Sequence, residues 1–279
     1  SVDHISTPNI DGYWKFLKDV SDSKTEYAVI EYTGQALKQR RMGTAQFDIG
    51  GITNITGDHL DYFNNIQEYK EMKMRIIEKS KVCVVNELYQ YYSEYVELAK
   101  KHSTKLISFN TDRDIKDIQY LTIDDNYVTK CKVIYNGEWL DITTKLFAPF
   151  GLNNLLMVVK MSEELGIESH HVIKGLSLFT PVNGRLNKLQ DVPVNVVIDF
   201  AHTPGSYEIL LPFFREFYSN SKITIVFGSI GDGDTSKRPK LGKIASQYAD
   251  KLIITNEDPR TNDPKEIYDA IISDIDDDY

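Results

Sequence analysis

Short apolar runs alternate with helical patterns along most of the chain. The apolar runs have the length of strands and end at polar or turn residues, and they predict the strands Tyr27–Glu31, Phe47–Asn54, Val82–Asn86 and Lys105–Phe109. Apolar positions spaced three and four residues apart predict the helices Ile66–Lys79, Tyr89–His102, Leu152–Leu165 and His170–Leu178. Because strands that alternate with helices are typical of a mostly parallel sheet, the pattern predicts an α/β fold.

The pattern changes between Gln119 and Phe147. Short runs rich in Val, Ile, Tyr and Thr flank Asn136-Gly137, which predicts an antiparallel hairpin appended to the sheet. The segment Thr180–Gly184 combines Pro, Asn and Gly, as turns and linkers do. We therefore predict a domain boundary near Pro181, with one domain over residues 1–181 and a second over residues 182–279.

A second series of strands and helices follows this linker. It consists of the predicted strands Val194–Phe200, Lys222–Phe227 and Lys251–Thr255 and the predicted helices Ser206–Tyr218, Arg238–Tyr248 and Pro264–Ile275. This alternation predicts a Rossmann-like second domain.

Charge and composition indicate which partners the protein binds and in which compartment it lies. A net charge of -9 argues against nucleic acid as the main partner, because phosphate backbones bind basic surfaces. No apolar run reaches the roughly 18 residues of a membrane span, and no signal-peptide pattern opens the chain, so we predict a cytoplasmic protein without a membrane partner. The two cysteines, Cys83 and Cys131, lie in predicted strands and are expected to be buried free thiols.

Three candidate polar positions lie in the first part of the chain. His59 lies between Asp58 and Asp61 directly after a predicted strand, so it could bind a cation or simply be solvated in a capped loop. Glu31 ends another predicted strand, where a carboxylate can bind Mg²⁺. Lys73 belongs to a helix that also carries Lys70 and Glu71, and this group can equally be a solvated helix face.

Three further candidates lie in the second part. Asp199, at a strand end, could hold a ribose hydroxyl or cap the helix that follows. The segment Phe227–Pro239 is a Gly-rich loop with Lys237 before a helix, but it has neither the P-loop order nor the EF-hand order. Arg260 follows Asp258-Pro259, where it could grip a carboxylate or belong to a surface turn. The sequence contains no Ser-His-Asp arrangement, CxxC pair or HExxH motif that would favour a hydrolase or a zinc site.

The order of these motifs is more specific than any one of them. The order runs from Thr53-Asn54-Ile55-Thr56 with Asp58-His59-Leu60-Asp61-Tyr62, through Tyr69, Lys73 and Gly184-Arg185, to Asp199-Phe200-Ala201-His202-Thr203-Pro204, Phe227-Gly228, Gly231-Asp232, Lys237-Arg238-Pro239, Asp258-Pro259-Arg260 and Asp263-Pro264. In this order the chain resembles the Mur ligase family over nearly its whole length, and within the family it is most similar to the members that form the tripeptide. The resemblance implies a P-loop-type central ATPase domain followed by a Rossmann-like C-terminal domain.

The resemblance also implies an activity and its substrates. Members of this family phosphorylate a substrate carboxylate with ATP, and an amino group then attacks the acyl phosphate. The expected partners are UDP-MurNAc-dipeptide and a diamino acid, meso-diaminopimelate being implied by Arg260, and the expected cofactors are ATP and Mg²⁺. A monomer satisfies every feature of the sequence.

Each site residue takes its role from the family pattern. The implied metal ligands are Glu31, His59 and Lys73, with Lys73 carbamylated by CO₂. The implied catalytic residues are Lys73, His59 and Arg185, and the implied nucleotide contacts are Asn154, Arg185, Asp199 and Lys237. The implied substrate contacts are Thr33, Arg41, His202, Asp258 and Arg260.

Several positions depart from the family pattern. Thr33-Gly34-Gln35 stands where Ser-Ser-His is usual, Gly57 replaces an Arg, Gly151 an Asn and Asn187 a Glu, and Glu257-Asp258 replaces Asp-Asn. The family's P-loop lies upstream of Ser1, so we expect the chain to be a fragment without measurable ligase activity by itself. Two alternatives stay open: a Mur-like ligase acting on another carboxylate, such as a polyglutamate or a storage peptide, and a non-catalytic relative that binds nucleotide or muropeptide.

Overall fold

A computed structural model gives the fold of residues 7–41, 43–55, 62–189 and 194–276. The described residues form two compact units that divide between Phe109 and Asn110, with Tyr62–Phe109 joining the N-terminal residues up to Ile55 in the first unit. The boundary near Pro181, inferred from composition, stays a prediction. None of the helices in these ranges combines the length and the apolar character that crossing a bilayer requires.

The first unit is built around a parallel sheet. Its strands are β1 (Phe47–Ile52), β2 (Ser80–Asn86) and β3 (Lys105–Phe109), with β2 in the centre. Val84 and Val85 of β2 are fully buried, one on each face of the sheet. Continuous apolar strands of this kind are typical of parallel sheets covered by helices on both faces. The predictions for β1, β2 and β3 are therefore confirmed within two residues at each end.

Among the described residues, four helices belong to the first unit. They are α1 (Ile10–Asp22), α2 (Gly34–Lys38), α3 (Ile66–Glu78) and α4 (Tyr92–His102). Two of them, α3 and α4, pack against its sheet. α3 begins at the N-cap Asn65, whose side chain accepts a hydrogen bond from the Glu68 N–H at 2.9 Å. Ile77 and Tyr95, from α3 and α4, are fully buried in the core of the unit. α3 and α4 confirm the helical periodicity, whereas α1 and α2 were not predicted.

The predicted strand Tyr27–Glu31 is wrong. These residues belong to no ladder within the described chain, and the Val29 side chain is 94% exposed. A strand exists through hydrogen bonds to a neighbouring strand, which an apolar run alone cannot supply.

The second unit begins with an antiparallel sheet. Its strands are β4 (Ile115–Ile123), β5 (Asn126–Tyr135) and β6 (Glu138–Thr144), in that order. Asn136 and Gly137 connect β5 to β6 with φ values of 47° and 83°, the left-handed pair that a two-residue hairpin turn requires. The hairpin prediction is confirmed, but the strands form a separate three-stranded sheet instead of extending the parallel one. Two helices follow, α5 (Ala148–Glu164) and α6 (Ser169–Leu178).

The rest of the second unit carries short strands and three helices. These elements are β7 (Asn187–Lys188), β8 (Val197–Ile198), α7 (Pro204–Phe217), β9 (Thr224–Phe227), α8 (Lys237–Tyr248), β10 (Lys251–Ile254) and α9 (Pro264–Ile272). β9 and β10 pair in parallel, as predicted, and Phe227, Leu241 and Ile271 lie in the core beside them. The strand predicted over 194–200 is reduced to β8, which pairs antiparallel with β7.

Both cysteines are free and buried, as predicted. Burial raises the pKa of Cys83, in β2, to about 12. Burial likewise raises the pKa of Cys131, in β5, to about 11. Removing a thiol from water disfavours the charged thiolate, so neither cysteine is poised for nucleophilic chemistry.

Candidate functional site

Several predicted site residues of the first unit meet at a buried threonine. The Thr7 hydroxyl donates to the Glu31 carbonyl oxygen at 2.9 Å and accepts from the Thr33 N–H at 3.0 Å. The Thr7 carbonyl oxygen accepts from Arg41 Nη1 at 2.8 Å, and Arg41 Nε donates to Gln39 Oε1 at 2.6 Å. Thr7 is fully buried. We call these residues, Thr7, Glu31, Thr33, Gln39 and Arg41, the Thr7 group.

The Thr7 group fixes the backbone on both sides of Tyr32 while the Glu31 side chain stays exposed. Thr33 is also the N-cap of α2 and accepts from the Ala36 N–H at 3.2 Å. Sequence reasoning missed Thr7 and Gln39. The signal for Thr7 was weak, since a Thr before a Pro near the start of a chain has many explanations.

Lys73 reaches the carboxyl end of β1. Its side chain is half-buried, and Nζ donates to the Asn54 carbonyl oxygen at 3.3 Å and lies 5.4 Å from the centre of the Tyr69 ring. On the same helix, Lys70 is 6% exposed and pairs with Glu94 at 2.7 Å. The interpretation of this face as solvated is therefore wrong for Lys70, because a cation can be buried when a carboxylate pairs with it.

A metal site in the first unit stays a prediction. His59, together with Asp58 and Asp61, lies outside the described residues. Within the described ranges no group of three or more His, Cys, Asp or Glu side chains is placed to hold a metal ion. As an ammonium, Lys73 donates a hydrogen bond and cannot bind a cation; a carbamate on the same nitrogen would supply anionic oxygen ligands.

In the second unit, Asp199 organises a turn. Its two carboxylate oxygens accept from the Leu186 N–H at 2.9 Å and the Ala201 N–H at 2.8 Å. The Arg185 guanidinium lies over the Phe200 ring, 4.5 Å from its centre. His202 Nδ1 is 2.9 Å from the Phe200 carbonyl oxygen. The structure thus brings together Arg185, Asp199 and His202, three residues that the sequence singled out.

The loops that follow β9 and β10 are packed backbone to backbone. The Gly231 N–H donates to the Asp258 carbonyl oxygen at 2.7 Å, and a Cβ on Gly231 would overlap the Pro259 carbonyl. A Cβ on Gly228 would likewise overlap the Thr255 carbonyl oxygen. These two glycines therefore serve the contact between the loops. Because both loops follow parallel strands at their carboxyl ends, they occupy the position where open α/β sheets bind ligands.

Asn262 ties the same loops together through its side chain. Its Oδ1 accepts from the Asp232 N–H at 3.0 Å and from Arg238 Nη2 at 3.1 Å. Arg238 Nη2 also donates to the Ile230 carbonyl oxygen at 3.2 Å, and the Thr261 hydroxyl bonds the Asp232 carboxylate. We call Asp232, Arg238, Thr261 and Asn262 the Asn262 group.

Arg238 is an unusual member of this group. The residue is 5% exposed, its hydrogen bonds are to oxygens of uncharged groups, and its Nε has no partner within the described residues. Sequence reasoning missed Asn262, and the position of Asn262 just before Asp263-Pro264 suggests only a turn.

The remaining predicted residues of this unit are exposed or half-buried. Arg260, at φ 48°, places Nε 3.5 Å from Asp258 Oδ2, and both side chains are about half exposed, at 47% and 65%. Lys237 is the first residue of α8. Asn154 is exposed on α5. An exposed ion pair at this distance contributes little, so the Arg260 guanidinium can still bind another carboxylate.

A small cavity lies behind the Arg260 turn. Its volume is about 40 Å³, and its lining includes Ser229, Thr255 and Glu257. The Ser229 hydroxyl is buried there without a partner in the described part of the chain. Nearby, the pKa of the Tyr207 phenol is raised, chiefly by burial and in addition by the charges of Glu257 and Asp199. The Asp199 turn and the loop after β10 therefore share one negative electrostatic environment.

Two protein-family models match the chain. The Mur ligase middle domain matches residues 2–162, and the Mur ligase glutamate ligase domain matches residues 184–277.

Curated relatives share about a third of the residues. A UDP-N-acetylmuramoyl-L-alanyl-D-glutamate--2,6-diaminopimelate ligase of Trichormus variabilis is 31% identical over 258 residues, which are 90% of this chain and 52% of that protein. The ligase of the same name from Caldanaerobacter subterraneus is 33% identical over 248 residues, 87% of this chain and 50% of that protein. The chain thus spans about half the length of the curated relatives it matches.

Solved structures give the same fold. A UDP-N-acetylmuramoyl-L-alanyl-D-glutamate--2,6-diaminopimelate ligase superposes with a TM-score of 0.66 at 24% identity, covering 97% of this chain and 56% of that one. A Mycobacterium tuberculosis folylpolyglutamate synthase, complexed with ADP and AMPPCP, superposes with a TM-score of 0.62 at 19% identity, covering 81% of this chain and 51% of that one. Both family models, the relatives and the α/β fold agree, and the chain belongs to the Mur ligase family.

Proposed function

We propose that this chain is part of an ATP-dependent amide ligase that adds a diamino acid, meso-diaminopimelate, to UDP-MurNAc-L-Ala-D-Glu in peptidoglycan synthesis. The observation that carries the proposal is the backbone contact between the two loops after β9 and β10. This contact brings the turn that carries Arg260 against the Gly-rich loop that leads to Lys237. An amino-acid clamp and a phosphate-binding lysine on neighbouring loops are what an amide ligase requires.

The chemistry needs an activated carboxylate. A free carboxylate is a poor electrophile, so ATP transfers its γ-phosphoryl group to it, and the amine of the amino acid then displaces phosphate. In our proposal Lys237 and Arg185 contact the nucleotide phosphates, and Arg260 grips a carboxylate of the diamino acid bidentately. Asp258 and His202 lie at the amino-acid side of the same site.

Asp199 is proposed to hold the ribose, and Asn154 to lie near the adenine. Both Asp199 oxygens already accept a backbone N–H, which fixes the carboxylate, and each oxygen keeps a second lone pair for a ribose hydroxyl. The fixed carboxylate therefore suits the proposed contact.

The first unit is proposed to bind the muropeptide and magnesium. Thr33 and Arg41 would contact the muropeptide, and Glu31, His59 and carbamylated Lys73 would hold Mg²⁺, which neutralises charge on transferring phosphoryl groups. The position of Lys73 supports this assignment. Its Nζ donates to the Asn54 carbonyl oxygen after the carboxyl end of β1, and Asn54 lies shortly before His59 in the sequence. We place the reaction in the cytoplasm and expect a monomer.

The test is substrate-dependent phosphate release by the full-length gene product. We expect release to require both UDP-MurNAc-L-Ala-D-Glu and meso-diaminopimelate, and to be weaker with L-lysine. Stimulation by a polyglutamate acceptor instead of the muropeptide would replace the proposed substrate, and no stimulation by any acceptor would point to a non-catalytic relative.

Lys73→Ala tests the metal assignment in the same assay. Turnover should fall about a hundredfold or more if the lysine carries a metal ligand. Lys81→Ala is the control, because Lys81 is an exposed lysine that pairs with Asp48 on the surface. Equal rates in both variants would remove Lys73 from the site.

A further inference from the structure

Seven aromatic rings meet between the antiparallel sheet and α7. Three of them belong to β4, β5 and the start of α5, and four belong to the C-terminal half of α7 and its C-cap. The rings are those of Tyr120, Tyr127, Phe147, Phe213, Phe214, Phe217 and Tyr218. We call this cluster the aromatic joint.

The contacts of the aromatic joint centre on Phe147. Its ring stacks on Tyr127 with centroids 4.5 Å apart and an interplanar angle of 13°. It also meets Phe213 and Phe217 edge to face, at 5.4 Å and 5.3 Å. These are the offset-stacked and T-shaped geometries that aromatic pairs prefer.

A hydrogen bond specifies the register of the joint. The hydroxyls of Tyr127 and Tyr218 are 2.9 Å apart, and the two residues lie 91 positions apart in the sequence. Tyr127 and Phe147 are 5% and 2% exposed, so these two rings are closed to water. The joint therefore connects the region matched by the middle-domain family model to the region matched by the C-terminal family model.

The same cluster extends to the turn that holds Asp199. Leu186 is 8% exposed within the cluster, and Ala201 packs against it. The backbone N–H groups of these two residues are the donors to the Asp199 carboxylate. The apolar contacts that place Leu186 and Ala201 thus also place the donors that fix Asp199.

We propose that the aromatic joint positions Asp199: it holds α7 against the antiparallel sheet and so keeps Leu186 and Ala201 where their N–H groups grip the carboxylate. When the joint opens, both donors lose their packing and the carboxylate loses its fixed direction. Asp199 and the joint are therefore coupled, and any ligand of Asp199 that needs the fixed carboxylate stabilises the closed joint. Only that last step rests on the proposed function.

The experiment is amide hydrogen exchange, followed by NMR, on the 279-residue chain without any ligand. In Phe217→Ala we expect exchange at Leu186 and Ala201 to become about tenfold faster or more, because local opening exposes both N–H groups. Amides in the paired strands β9 and β10 should change much less. The matched control is Leu241→Ala, which opens a cavity in the core beside β9 and β10; Ala201 also packs against that core, whereas Leu186 does not belong to it. It should accelerate exchange there, including at Ala201, and leave Leu186 close to the wild-type rate.

Wild-type exchange rates at Leu186 and Ala201 in Phe217→Ala would overturn the proposal, as would an equal acceleration of Leu186 by Leu241→Ala. If Phe217→Ala does not fold, Tyr127→Phe removes only the hydroxyl that meets Tyr218. This milder variant should give about threefold faster exchange at the two amides, and unchanged rates would again overturn the proposal. Because the assay contains no nucleotide, its outcome is independent of whether the chain binds ATP.

Discussion

The Thr7 group in the first unit and the Asn262 group in the second both order a loop that carries an arginine, but they place charge differently. Around Thr7 the buried atoms are neutral, and Arg41 enters only to donate to a carbonyl oxygen. Around Asn262 a guanidinium, that of Arg238, is itself buried against neutral oxygens. The first arrangement depends on satisfied hydrogen bonds, whereas the second also carries the cost of removing a cation from water.

Arg41 of the Thr7 group and Arg260, next to the Asn262 group, also differ in how far their guanidinium groups are engaged by the protein. Two nitrogens of the Arg41 guanidinium already bond to the protein itself, at the Thr7 carbonyl oxygen and the Gln39 side chain. Arg260 keeps its guanidinium half exposed, with a weak contact to Asp258. A residue that is engaged in the fold affects stability when it is replaced, whereas one that is available to a ligand affects affinity.

The largest effect should follow from Arg260→Ala. In the full-length gene product we expect the KM for the diamino acid to rise about 30- to 100-fold, the loss of one charge-assisted bidentate contact. The melting temperature should not change, because the one side-chain contact of Arg260 among the described residues is an exposed ion pair. Steady-state kinetics and calorimetry check both parts, and Arg260→Lys should recover the charge but not the bidentate geometry. A lower melting temperature with unchanged KM would make Arg260 a structural residue.

Thr7→Val should destabilise the first unit by about 2–3 kcal/mol. The valine has the same shape but leaves the Glu31 carbonyl and the Thr33 N–H without their partner in a buried place. Urea unfolding followed by the fluorescence of Trp14, in a Trp139→Phe background, reports this unit alone. Thr25→Val, at an exposed position, is the control. If both variants lower the free energy of unfolding equally, the hydrogen bonds of the Thr7 group do not stabilise the first unit.

Asn262→Asp should raise the free energy of unfolding of the second unit by about 1 kcal/mol at neutral pH. The carboxylate keeps both acceptor contacts and pairs with the buried Arg238 guanidinium. Asn262→Ala should lower it by about 1 kcal/mol, since Arg238 loses an acceptor. Denaturant unfolding followed by Trp139, in a Trp14→Phe background, measures both. If Asn262→Asp instead lowers the free energy of unfolding, the charge of the buried Arg238 guanidinium is already balanced by other groups.

The smallest effect concerns pH and Asp114, at the start of the second unit. Burial raises the pKa of this carboxyl, but the Arg113 guanidinium and the Asn110 N–H lower it more, so the folded-state pKa lies below the usual value. The carboxylate therefore contributes stability above its unfolded pKa, and this contribution is lost as the pH falls through the lower folded pKa. The stability difference between wild type and Asp114→Asn should shrink between pH 5 and the acid limit of folding, and a pH-independent difference would contradict the assignment.

Elements that rest on local pattern could be predicted from the sequence. β2 and the Asn136-Gly137 turn follow from a continuous apolar run and from a dipeptide that tolerates positive φ. Which strands pair with each other could not be predicted in the same way. The run Tyr27–Glu31 has the composition of a strand but no ladder within the described chain. Hydrogen bonding between strands depends on which segments meet, which composition does not encode.

In the candidate site, too, residues marked by local sequence could be predicted and residues that depend on distant partners could not. Motif order indicated Asp199, Arg185 and Arg260, because these residues occupy strand ends and turns that the sequence marks. Thr7 and Asn262 were missed because their importance comes from partners 24 or more residues away. Lys70 and Lys73 illustrate this on a single helix, because the sequence provides no reason to distinguish them. In the structure, Lys70 is buried against Glu94, whereas Lys73 reaches the end of β1.

The two buried thiols allow each unit to report its own opening. Cys83 lies in the first unit and Cys131 in the second, and burial has shifted both pKa values far from neutrality, so a thiol reagent reacts only after the surrounding unit opens. A pulse of an alkylating reagent, followed by mass spectrometry of the two cysteine peptides, therefore measures the opening rate of each unit separately. The measurement uses the wild-type sequence and needs no added probe.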